Sequence, residues 1–381
     1  MAADELRPAR RADGGFLRHI TIAPRPRIGL HTTRPIDEEL FAALAYLADV
    51  PAAGKQFIAA RAKAPANVDL AFELFRAFVR QAKTFWLAAK ELHPRAGPLN
   101  YYYSFLNLAK AYIALDSPEI VGMRIQHGLT CGDLPDEFAD HAVRVVDGVF
   151  PQLYTRVTGV VLPNALLINV LTALGYASDI TYELQHAQLG ETKLMCGMGR
   201  IAVSNNRMFA VLALRNYDVL HAFPVTTALL NASFEQVRMS NQAARALFDV
   251  YGEHVRHYAF LETGKDYDFA EQLDLRPMLA DCYDVLKPLY SSYAFHADET
   301  EFMLAPPLQE HPIVPMSEIL AIYVVMFYLS HLVRYFPARL EAMLESKEAW
   351  VIERFALGAP ETFLRQMVNL ILGEDRIYRT R

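Results

Sequence analysis

Residues 100–115, NYYYSFLNLAKAYIAL, constrain the fold more than any other segment. Two adjacent sets of apolar residues recur there at helical spacing and predict an α-helix that is apolar on most of its surface. The sets are Tyr101, Phe105, Leu108, Tyr112 and Leu115, and beside them Tyr102, Leu106, Ala109 and Ile113. What remains is a narrow strip of Tyr103, Asn107, Lys110 and Ala114. Such a helix needs partners on most sides, so we expect the strip to reach solvent through a gap or to line a cavity.

The preceding residues predict the partner of this helix. Helical spacing runs through residues 67–92 and ends at Pro94 and Gly97, so the two helices form an antiparallel hairpin. The predicted core face of the first helix is Ala71, Leu74, Phe75, Phe78, Ala82, Phe85, Ala89 and Leu92. Another face carries a basic stripe of Arg76, Arg80, Lys83 and Lys90. A stripe of this kind is typical of the solvated side of a helix, and contact with phosphate or nucleic acid is the alternative.

Elsewhere, helical and strand-like segments alternate. Further helices are predicted near residues 36–47, 164–174, 234–248, 275–290, 317–335, 337–345 and 361–372. The β-branched segments VRVV, GVFPQLYTRVTGVVL and MFAVLALRN predict short strands. We therefore predict a predominantly α-helical α+β protein in which the hairpin and the C-terminal helices surround a small mixed or antiparallel sheet. The predicted regions are a basic extended arm (1–36), a helical region (37–142), a mixed region (143–233) and a C-terminal helical region (234–381).

The first of these regions is basic and interrupted by prolines. Seven arginines face only three acidic residues there: Arg7, Arg10, Arg11, Arg18, Arg25, Arg27 and Arg34. This composition is typical of an extended, solvated terminus, and an anchor for a phosphate backbone or an acidic partner is the alternative. The net charge of the chain is −6, so the whole molecule does not attract polyanions and any nucleic-acid contact requires a local basic surface.

The cysteines and the apolar runs predict the compartment. Cys131, Cys196 and Cys282 are far apart and form no C-x-x-C pair, which fits a reducing compartment without a disulfide framework or a thiolate zinc site. The charged N-terminus lacks the apolar core of a signal peptide. The longest apolar run, ILAIYVVMFYL, has 11 residues, whereas about 20 are needed to cross a bilayer. We therefore expect a cytoplasmic protein outside the membrane, with this run as a buried helix.

Motifs for common catalytic chemistry are missing from the sequence, which has no G-x-S-x-G, S-x-x-K or G-x-x-x-x-G-K-[ST] pattern. CGMGR, residues 196–200, lacks a third glycine and a following helix, so a tight turn is favoured over a phosphate loop. Neither HADETE, with His296, Asp298, Glu299 and Glu301, nor GEHVRH, with His254 and His257, matches a metal-binding motif. We expect no cofactor and no metal.

One short pattern points to catalysis. RNYDVLH, residues 215–221, is similar to the R-x(4–6)-H motif of HEPN ribonucleases, helical-bundle proteins with metal-independent activity. The resemblance implies that Arg215 would stabilise phosphate charge while His221 moves a proton. RPRIGLH, residues 25–31, gives the same pattern, and both lie outside the hairpin. The ribonuclease is therefore an alternative hypothesis.

Scattered blocks between residues 67 and 345 resemble the YaaC-like family of bacterial proteins. The blocks are QAKTFWLAAKEL, NYYYSFLNLAKAYIAL, HGL at residues 127–129, and ILAIYVVMFYLSHLVRYFP. The resemblance implies relatives without implying an activity. Its polar members are Tyr102, Asn107, Lys110, His127, Arg334 and Tyr335. Such side chains can bind an anion, since the cations supply charge and the amide and phenols supply direction. The alternative is structural, with the cations bound to carbonyls or a carboxylate and His127 capping a turn.

The leading functional hypothesis is a non-catalytic binding or interaction protein, with a phosphate-bearing ligand or nucleic acid near the strip and the HGL segment. One alternative is the HEPN-like ribonuclease. Another is a structural subunit or homo-oligomer in which the helix around residues 319–329 packs on a second subunit. A neighbouring gene for a nuclease, a reverse transcriptase or a toxin would indicate a role in a bacterial defence system.

Overall fold

The structure, a computed structural model, describes residues 6, 8–10, 16–20, 25–92, 95–123, 125–250, 252–268, 275–293 and 301–380. Helices form 55% and strands 20% of the chain, which confirms the predominantly helical α+β class. Two units divide the chain. We call Met1–Pro24 with Lys193–Ser317 the sheet unit, and Arg25–Thr192 with Glu318–Arg381 the helical unit.

The helices are α1 (Ile36–Asp49), α2 (Pro51–Ala59), α3 (Val68–Lys90), α4 (Gly97–Ala114), α5 (Pro118–Gly122), α6 (Val149–Thr158), α7 (Val170–Leu174), α8 (Thr181–His186), α9 (Pro224–Asn231), α10 (Asn241–Phe248), α11 (Arg276–Leu286), α12 (Glu318–Tyr335), α13 (Pro337–Leu344) and α14 (Ala349–Leu372). The strands are β1 (Phe16–Ile20), β2 (Arg27–Thr32), β3 (His127–Thr130), β4 (Ala142–Gly148), β5 (Leu167–Asn169), β6 (Met195–Ser204), β7 (Arg207–Arg215), β8 (Phe234–Val237), β9 (Tyr258–Thr263), β10 (Tyr267–Asp268), β11 (Tyr290–Tyr293), β12 (Glu301–Leu304), β13 (Gln309–Glu310), β14 (Ile313–Val314) and β15 (Asp375–Thr380).

In the helical unit, α4 is the central helix and packs against α3, α12 and α14. Phe105 stacks on Phe363 of α14, with 3.8 Å between the ring centroids. Tyr102 meets Tyr323 of α12 edge to face, with 5.6 Å between the ring centroids. The predicted hairpin of α3 and α4 is confirmed, and so is the prediction that α4 is covered on most sides.

The apolar run of residues 319–329 lies in α12, and each of its residues is at most 3% exposed. Among the described helices, α12 is the one that is long and apolar enough to cross a membrane by length and composition, and 78% of it is buried inside the protein. It packs against α4, α7, α13 and α14, as a core helix does. The prediction of a buried helix is confirmed. Because its own chain covers α12, the structural-subunit hypothesis loses the contact surface on which it depended.

The buried face of α3 is shifted from the predicted one. Ala71, Phe75, Ala82 and Ala89 are buried as predicted, Leu92 is exposed, and Phe72, Val79 and Trp86 take inward positions. The cause is α1. The ring of Trp86 lies 5.8 Å from that of Phe41, and its Nε1 donates a hydrogen bond to Asp37 Oδ2 at 2.9 Å. One flank of α3 therefore faces α1 while the other faces α4.

Two small sheets complete the helical unit. Strands β3, β4 and β5 form an antiparallel sheet, and β2 pairs in parallel with β15 near the C-terminus. Most of the predicted strand GVFPQLYTRVTGVVL is the helix α6, so that prediction is wrong. Its buried residues Val149, Phe150, Leu153 and Tyr154 follow helical spacing, which the β-branched composition obscured. The helix predicted at residues 164–174 is the strand β5 followed by the short α7.

The sheet unit is built on an eight-stranded antiparallel sheet with the order β11–β12–β6–β7–β9–β8, in which β1 also pairs with β6 and β10 with β7. The turn between β6 and β7 contains Asn205 and Asn206, both in the left-handed conformation that tight hairpins require. Alternate residues of β7 belong to two apolar clusters, so the sheet has a buried surface on each face. Residues of α11 belong to one cluster and residues of α10 to the other.

Two further predictions in the sheet unit are corrected. CGMGR lies inside β6 and not in a turn, because Gly197 allows the ring of Phe302 to approach; a Cβ there would lie 2.4 Å from that ring. The helix predicted at residues 234–248 is the strand β8 followed by α10. The segment MFAVLALRN is confirmed as β7.

The described part of the basic arm is folded and is not a solvated tail. Its strand β1 pairs with β6, and the backbone nitrogen and Nε of Arg10 donate to the carboxylate of Glu262 at 2.9 and 3.1 Å. Glu262 is 1% exposed, and the Arg10 guanidinium lies 3.7 Å from the ring centroid of Phe209. Arg25 similarly pairs with Asp375, which is 1% exposed, at 2.9 Å in the helical unit. These arginines neutralise buried carboxylates far along the chain.

This pairing predicts a large effect of Arg10→Ala on the sheet unit. The substitution removes the Arg10 guanidinium from the buried carboxylate of Glu262, and removal of one partner of a buried ion pair costs about 3–5 kcal/mol of stability. Native-state hydrogen exchange of the β9 amides measures the loss, and adding Glu262→Gln should restore most of it. The control is Arg256→Ala, whose partner Glu253 is 85% exposed, and its effect should stay within about 0.5 kcal/mol. Equal exchange in the two arginine variants would contradict the prediction.

Candidate functional site

The polar strip of α4 lies at the edge of its packed surface. Asn107 is 6% exposed, and its Nδ2 donates to the carbonyl oxygen of Tyr103 at 2.8 Å. Tyr103 is half-buried and stacks on Phe85 of α3, with 5.2 Å between ring centroids. Lys110 is also half-buried, and its Nζ lies 5.6 Å from the ring centroid of Phe78. Burial lowers the pKa of Lys110. No carboxylate among the described residues pairs with this ammonium group.

His127 begins β3, and two glycines fix its position. Gly128 has φ +86°, and a Cβ there would lie 2.6 Å from the backbone nitrogen of Phe150. Gly148, opposite His127 in β4, has φ +147°, and its Cβ would lie 2.4 Å from the backbone nitrogen of Gly128. Only glycine allows so close an approach in these conformations. The HGL segment is therefore held against β4 and α6, and the His127 ring lies 5.7 Å from that of Tyr102 on α4.

Arg334 comes from the last turn of α12. Its Nε donates to the carbonyl oxygen of Ser330 at 3.2 Å, and its Nη1 donates to the hydroxyl of Tyr103 at 3.4 Å. The guanidinium carbon lies 5.9 Å from the ring centroid of Tyr103 and 5.1 Å from that of Tyr335. Tyr335 is 62% exposed. Within the described chain no carboxylate pairs with Arg334. The neighbours of its charge are a carbonyl, a phenol and two aromatic rings.

The pKa shifts place these groups in one electrostatic environment. Burial lowers the pKa of His127, and the charges of Arg334 and Lys110 lower it further. Burial and Arg334 also lower the pKa of His331. Burial raises the pKa of the Cys131 thiol to about 12, although Arg334 opposes this shift. At neutral pH both imidazoles are therefore uncharged, and Cys131 is a thiol and not a nucleophilic thiolate. We call Lys110, His127 and Arg334 the cationic cluster.

Buried phenols lie beside the cationic cluster. Tyr102 is fully buried, and its ring lies 5.6 Å from Tyr323 and 5.3 Å from Phe327, both on α12. Burial, followed by the neighbouring phenol of Tyr323, raises the pKa of Tyr102 well above its usual value. The hydroxyls of Tyr102 and Tyr323 and the Nδ1 of His127 have no hydrogen-bond partner of standard geometry among the described residues. Three polar atoms of this buried region thus lack a partner of standard geometry among the described residues.

The structure brings together five of the six residues of the family blocks. Five of them contact or electrostatically influence at least one other member, namely Tyr102, Lys110, His127, Arg334 and Tyr335. The Asn107 amide is instead hydrogen-bonded within its own helix. Sequence reasoning missed Tyr323 and His331. Tyr323 lies within the apolar run, where a buried tyrosine is typical of a core helix, so the sequence pattern does not mark it as a site residue. His331 precedes Arg334 by three residues, and this helical spacing is the signal that would have found it.

The basic stripe on α3 has a different character. Three of its members already have carboxylate partners: Arg76 with Glu73, Arg80 with Asp49, and Lys90 with Asp37. Lys83 is exposed, and no carboxylate among the described residues pairs with it. The stripe is therefore mostly engaged in ion pairs within the protein. The exposed pairs of Arg76 and Arg80 contribute little to stability, whereas Lys90 pairs with the buried Asp37.

The alternative catalytic pair is not placed as its resemblance implies. Arg215 is the last residue of β7, opposite Tyr258 of β9, and His221 lies in the 3-10 helix Tyr217–Ala222. The His221 side chain is 68% exposed, and its ionic neighbour is Asp218 at 3.7 Å. In the described part of the chain no hydrogen bond joins Arg215 to His221. A strand and a single 3-10 turn differ from the helical setting of HEPN ribonucleases, so the geometry does not favour this hypothesis.

HADETE and GEHVRH, the segments rich in metal-ligand residue types, form no metal site among the described residues. Among the residues that the structure describes, no group of three or more histidine, cysteine and carboxylate side chains is placed to hold a metal ion. His254 and His257 are exposed in the 3-10 helix Gly252–His257. In HADETE, residues 296–300 lie outside the described residues. What the cationic cluster offers is hydrogen-bond donors with positive charge, an arrangement that binds anions.

The two glycines yield a prediction for the position of His127. Gly128→Ala introduces a Cβ at a positive φ and 2.6 Å from the Phe150 backbone, so it should destabilise β3 by at least about 1–3 kcal/mol. Thermal unfolding and hydrogen exchange of the Leu129 amide measure this effect. The control is Gly132→Ala, where a Cβ meets nothing within 4 Å. If both variants unfold alike, the glycine does not hold the strand.

Residues 56–371, most of the chain, match a family model described as YaaC-like Protein. The match is longer than the blocks seen in the sequence, and it includes α4, β3 and α12 with the whole cationic cluster. No curated protein and no solved structure matches the chain. The chain belongs to the YaaC-like family.

Proposed function

We propose that this YaaC-like protein is a non-catalytic binding protein whose small ligand carries phosphate and is held by the cationic cluster. One observation carries the proposal. Lys110, His127 and Arg334 come from three different elements into one electrostatic environment, and no described carboxylate pairs with either permanent cation. We also propose that the protein acts in the cytoplasm, since none of its three cysteines forms a disulfide, as in a reducing compartment.

The cost of removing two cations from water, with no described carboxylate paired to either, supports an anionic ligand. Half-buried cations are normally paired, because a counter-charge offsets part of the cost of removing them from water. The charges of Arg334 and Lys110 repel a proton on His127, since both lower its pKa. A bound anion would reverse this repulsion. It would also accept charge-assisted hydrogen bonds, each contributing about 1.5–3 kcal/mol.

Phosphate suits the cluster better than a carboxylate does. A carboxylate presents two oxygens in one plane, whereas the donors of Lys110, His127 and Arg334 come from three elements and suit a tetrahedral group. The exposed ring of Tyr335, 5.1 Å from the Arg334 guanidinium, offers an aromatic face to the rest of the ligand. Binding without turnover is proposed because the Cys131 thiol stays protonated and no carboxylate base pairs with the cluster among the described residues.

The direct test is phosphate affinity after Lys110→Met, which removes the charge but keeps a flexible side chain beside Phe78. Titration calorimetry with inorganic phosphate and with 5′-AMP should show binding to the unsubstituted protein. In the variant, both affinities should fall about 10- to 100-fold, the effect of one lost charge-assisted hydrogen bond.

The matched control for this test is Lys83→Met, an exposed lysine of the basic stripe without an acidic partner in the described residues. Its phosphate affinity should equal that of the unsubstituted protein. If phosphate and 5′-AMP bind to neither protein, the proposed function is wrong. If Lys83→Met weakens binding as strongly as Lys110→Met, the ligand lies at the stripe and not at the cationic cluster.

Anion binding should also take up protons. The neutral His127 faces Lys110 and Tyr102 on α4 and Arg334 on α12, and a bound dianion raises its lowered pKa. The complex then holds more protons than the free protein, so sulfate affinity should increase as the pH falls from 8 to 6, by up to about tenfold per unit of pKa difference. Sulfate is used because it does not titrate in this range. Calorimetry in buffers of different ionisation enthalpy counts the protons.

The control variants for proton uptake are both histidine substitutions. His127→Gln should remove most of the proton uptake, while His221→Gln, at a side chain that is 68% exposed, should leave it unchanged. Sulfate affinity that is independent of pH in the unsubstituted protein would contradict the role of His127.

A further inference from the structure

The deepest part of the candidate site contains more hydrogen-bond donors than the protein satisfies. The hydroxyls of Tyr102 and Tyr323 and the Nδ1 of His127 are buried and lack partners of standard geometry among the described residues. Both tyrosines are 0% exposed, and the Tyr102 ring lies 5.6 Å from Tyr323 and 5.7 Å from His127. These atoms belong to α4, α12 and β3, the elements that also carry the cationic cluster.

The two phenols do not satisfy one another. If one hydroxyl donates to the other, the second hydroxyl still needs an acceptor, and no described group, His127 Nδ1 included, accepts it with standard geometry. An unsatisfied buried donor costs about 1–3 kcal/mol. A protein retains such a group where something outside the chain supplies the acceptor, either a ligand oxygen or an ordered water.

The charge beside these phenols indicates which chemical group supplies the acceptor. Lys110 and Arg334 carry two permanent charges, and His127 gains a third when it is protonated. A phosphate monoester carries close to two negative charges at pH 7 and has three terminal oxygens, which matches both the charges and the surplus donors. A phosphodiester carries one charge and two free oxygens. It also continues as a chain on both sides, which a fully buried Tyr102 does not accommodate.

The exposure of the aromatic residues indicates which end of the ligand is buried and which end extends outward. Tyr102 and Tyr323 are 0% exposed, whereas Tyr335, beside the same Arg334, is 62% exposed. A ligand that places its terminal group against the buried phenols therefore extends outward past Tyr335. The ring of His331, 4.9 Å from that of Tyr335, widens the aromatic surface on this outer side.

From these observations, and resting on the proposed function, we infer that the ligand is a phosphate monoester. Its terminal phosphate is buried against Tyr102, Tyr323 and His127 and neutralised by Lys110 and Arg334. The permanent cations supply most of the affinity, while the buried phenols discriminate between a terminal phosphate and a diester. Tyr102 is thus a specificity-determining residue of the site.

The test compares 5′-AMP with 3′,5′-cyclic AMP, which share a base and a ribose but carry a monoester and a diester. The unsubstituted protein should bind 5′-AMP at least about tenfold more tightly. Tyr102→Phe keeps the ring but removes the hydroxyl, so it should weaken 5′-AMP binding about 10-fold and leave cyclic AMP binding unchanged. The control is Tyr101→Phe, the neighbouring residue, whose ring packs on Trp86 at 5.1 Å on the α1 side.

A second measurement tests the empty site. The double variant Tyr102→Phe, Tyr323→Phe keeps both rings and removes both hydroxyls. Such a change is nearly neutral or stabilising when the donors were unsatisfied. The ligand-free variant should therefore melt at least as high as the unsubstituted protein while its 5′-AMP affinity falls. A lower melting temperature with unchanged 5′-AMP affinity would mean that water satisfies the phenols and would overturn the inference.

The outcomes separate the inference from the proposed function. Equal affinity for 5′-AMP and cyclic AMP, with both lost in Lys110→Met, would overturn the monoester inference and leave the proposed function standing. Failure of 5′-AMP, inorganic phosphate and sulfate to bind at all would overturn both. A preference for 5′-AMP that disappears in Tyr102→Phe and persists in Tyr101→Phe supports both.

Discussion

The enclosure of α4 is the constraint on which the helical unit depends. Because α3, α12 and α14 cover most of this helix, Tyr103 and Lys110 remain half-buried at one narrow edge. Phe105 against Phe363 and Tyr102 against Tyr323 fix the rotation of the helix about its axis. Any other rotation would move the Lys110 ammonium among apolar side chains, which is costly without a counter-charge. The packing of the core thus decides where this lysine lies.

The same packing holds the side chains of the cationic cluster in place. Gly128 and Gly148 hold the backbone at His127, and the Ser330 carbonyl holds the guanidinium of Arg334. The ring of Lys110's neighbour Phe78 limits the lysine to one side. Side chains that are ordered in the free protein lose little conformational entropy on binding. The side chains of the cluster are therefore held in place, and the burial of Lys110, which lowers its pKa, is unfavourable for its charge.

Sequence reasoning found the parts of this fold that depend on local periodicity. The helices α3, α4 and α12 repeat apolar residues at helical spacing, so their existence was predictable, whereas the exact buried face of α3 depended on Trp86 meeting Asp37 of α1. The folding of the basic arm was not predictable, since Arg10 finds its carboxylate 252 residues away. In the candidate site, the strip and the family blocks identified Lys110 and Arg334. The unsatisfied hydroxyl of Tyr323 has no sequence signal, because only its surroundings distinguish it from an ordinary core tyrosine.

The arginines of this chain show why the missing counter-charge at Arg334 is informative. Arg10, Arg25 and Arg156 have side chains that are 27%, 21% and 15% exposed, and each pairs with a carboxylate. Arg334 is also only partly exposed, yet a carbonyl and a phenol are its hydrogen-bond acceptors among the described residues. Carboxylates pair with these half-buried arginines, whereas none of the described residues supplies one to Arg334, where Lys110 adds a second positive charge. The proposal of an anionic ligand rests on this difference, because a half-buried cation is costly without a counter-charge.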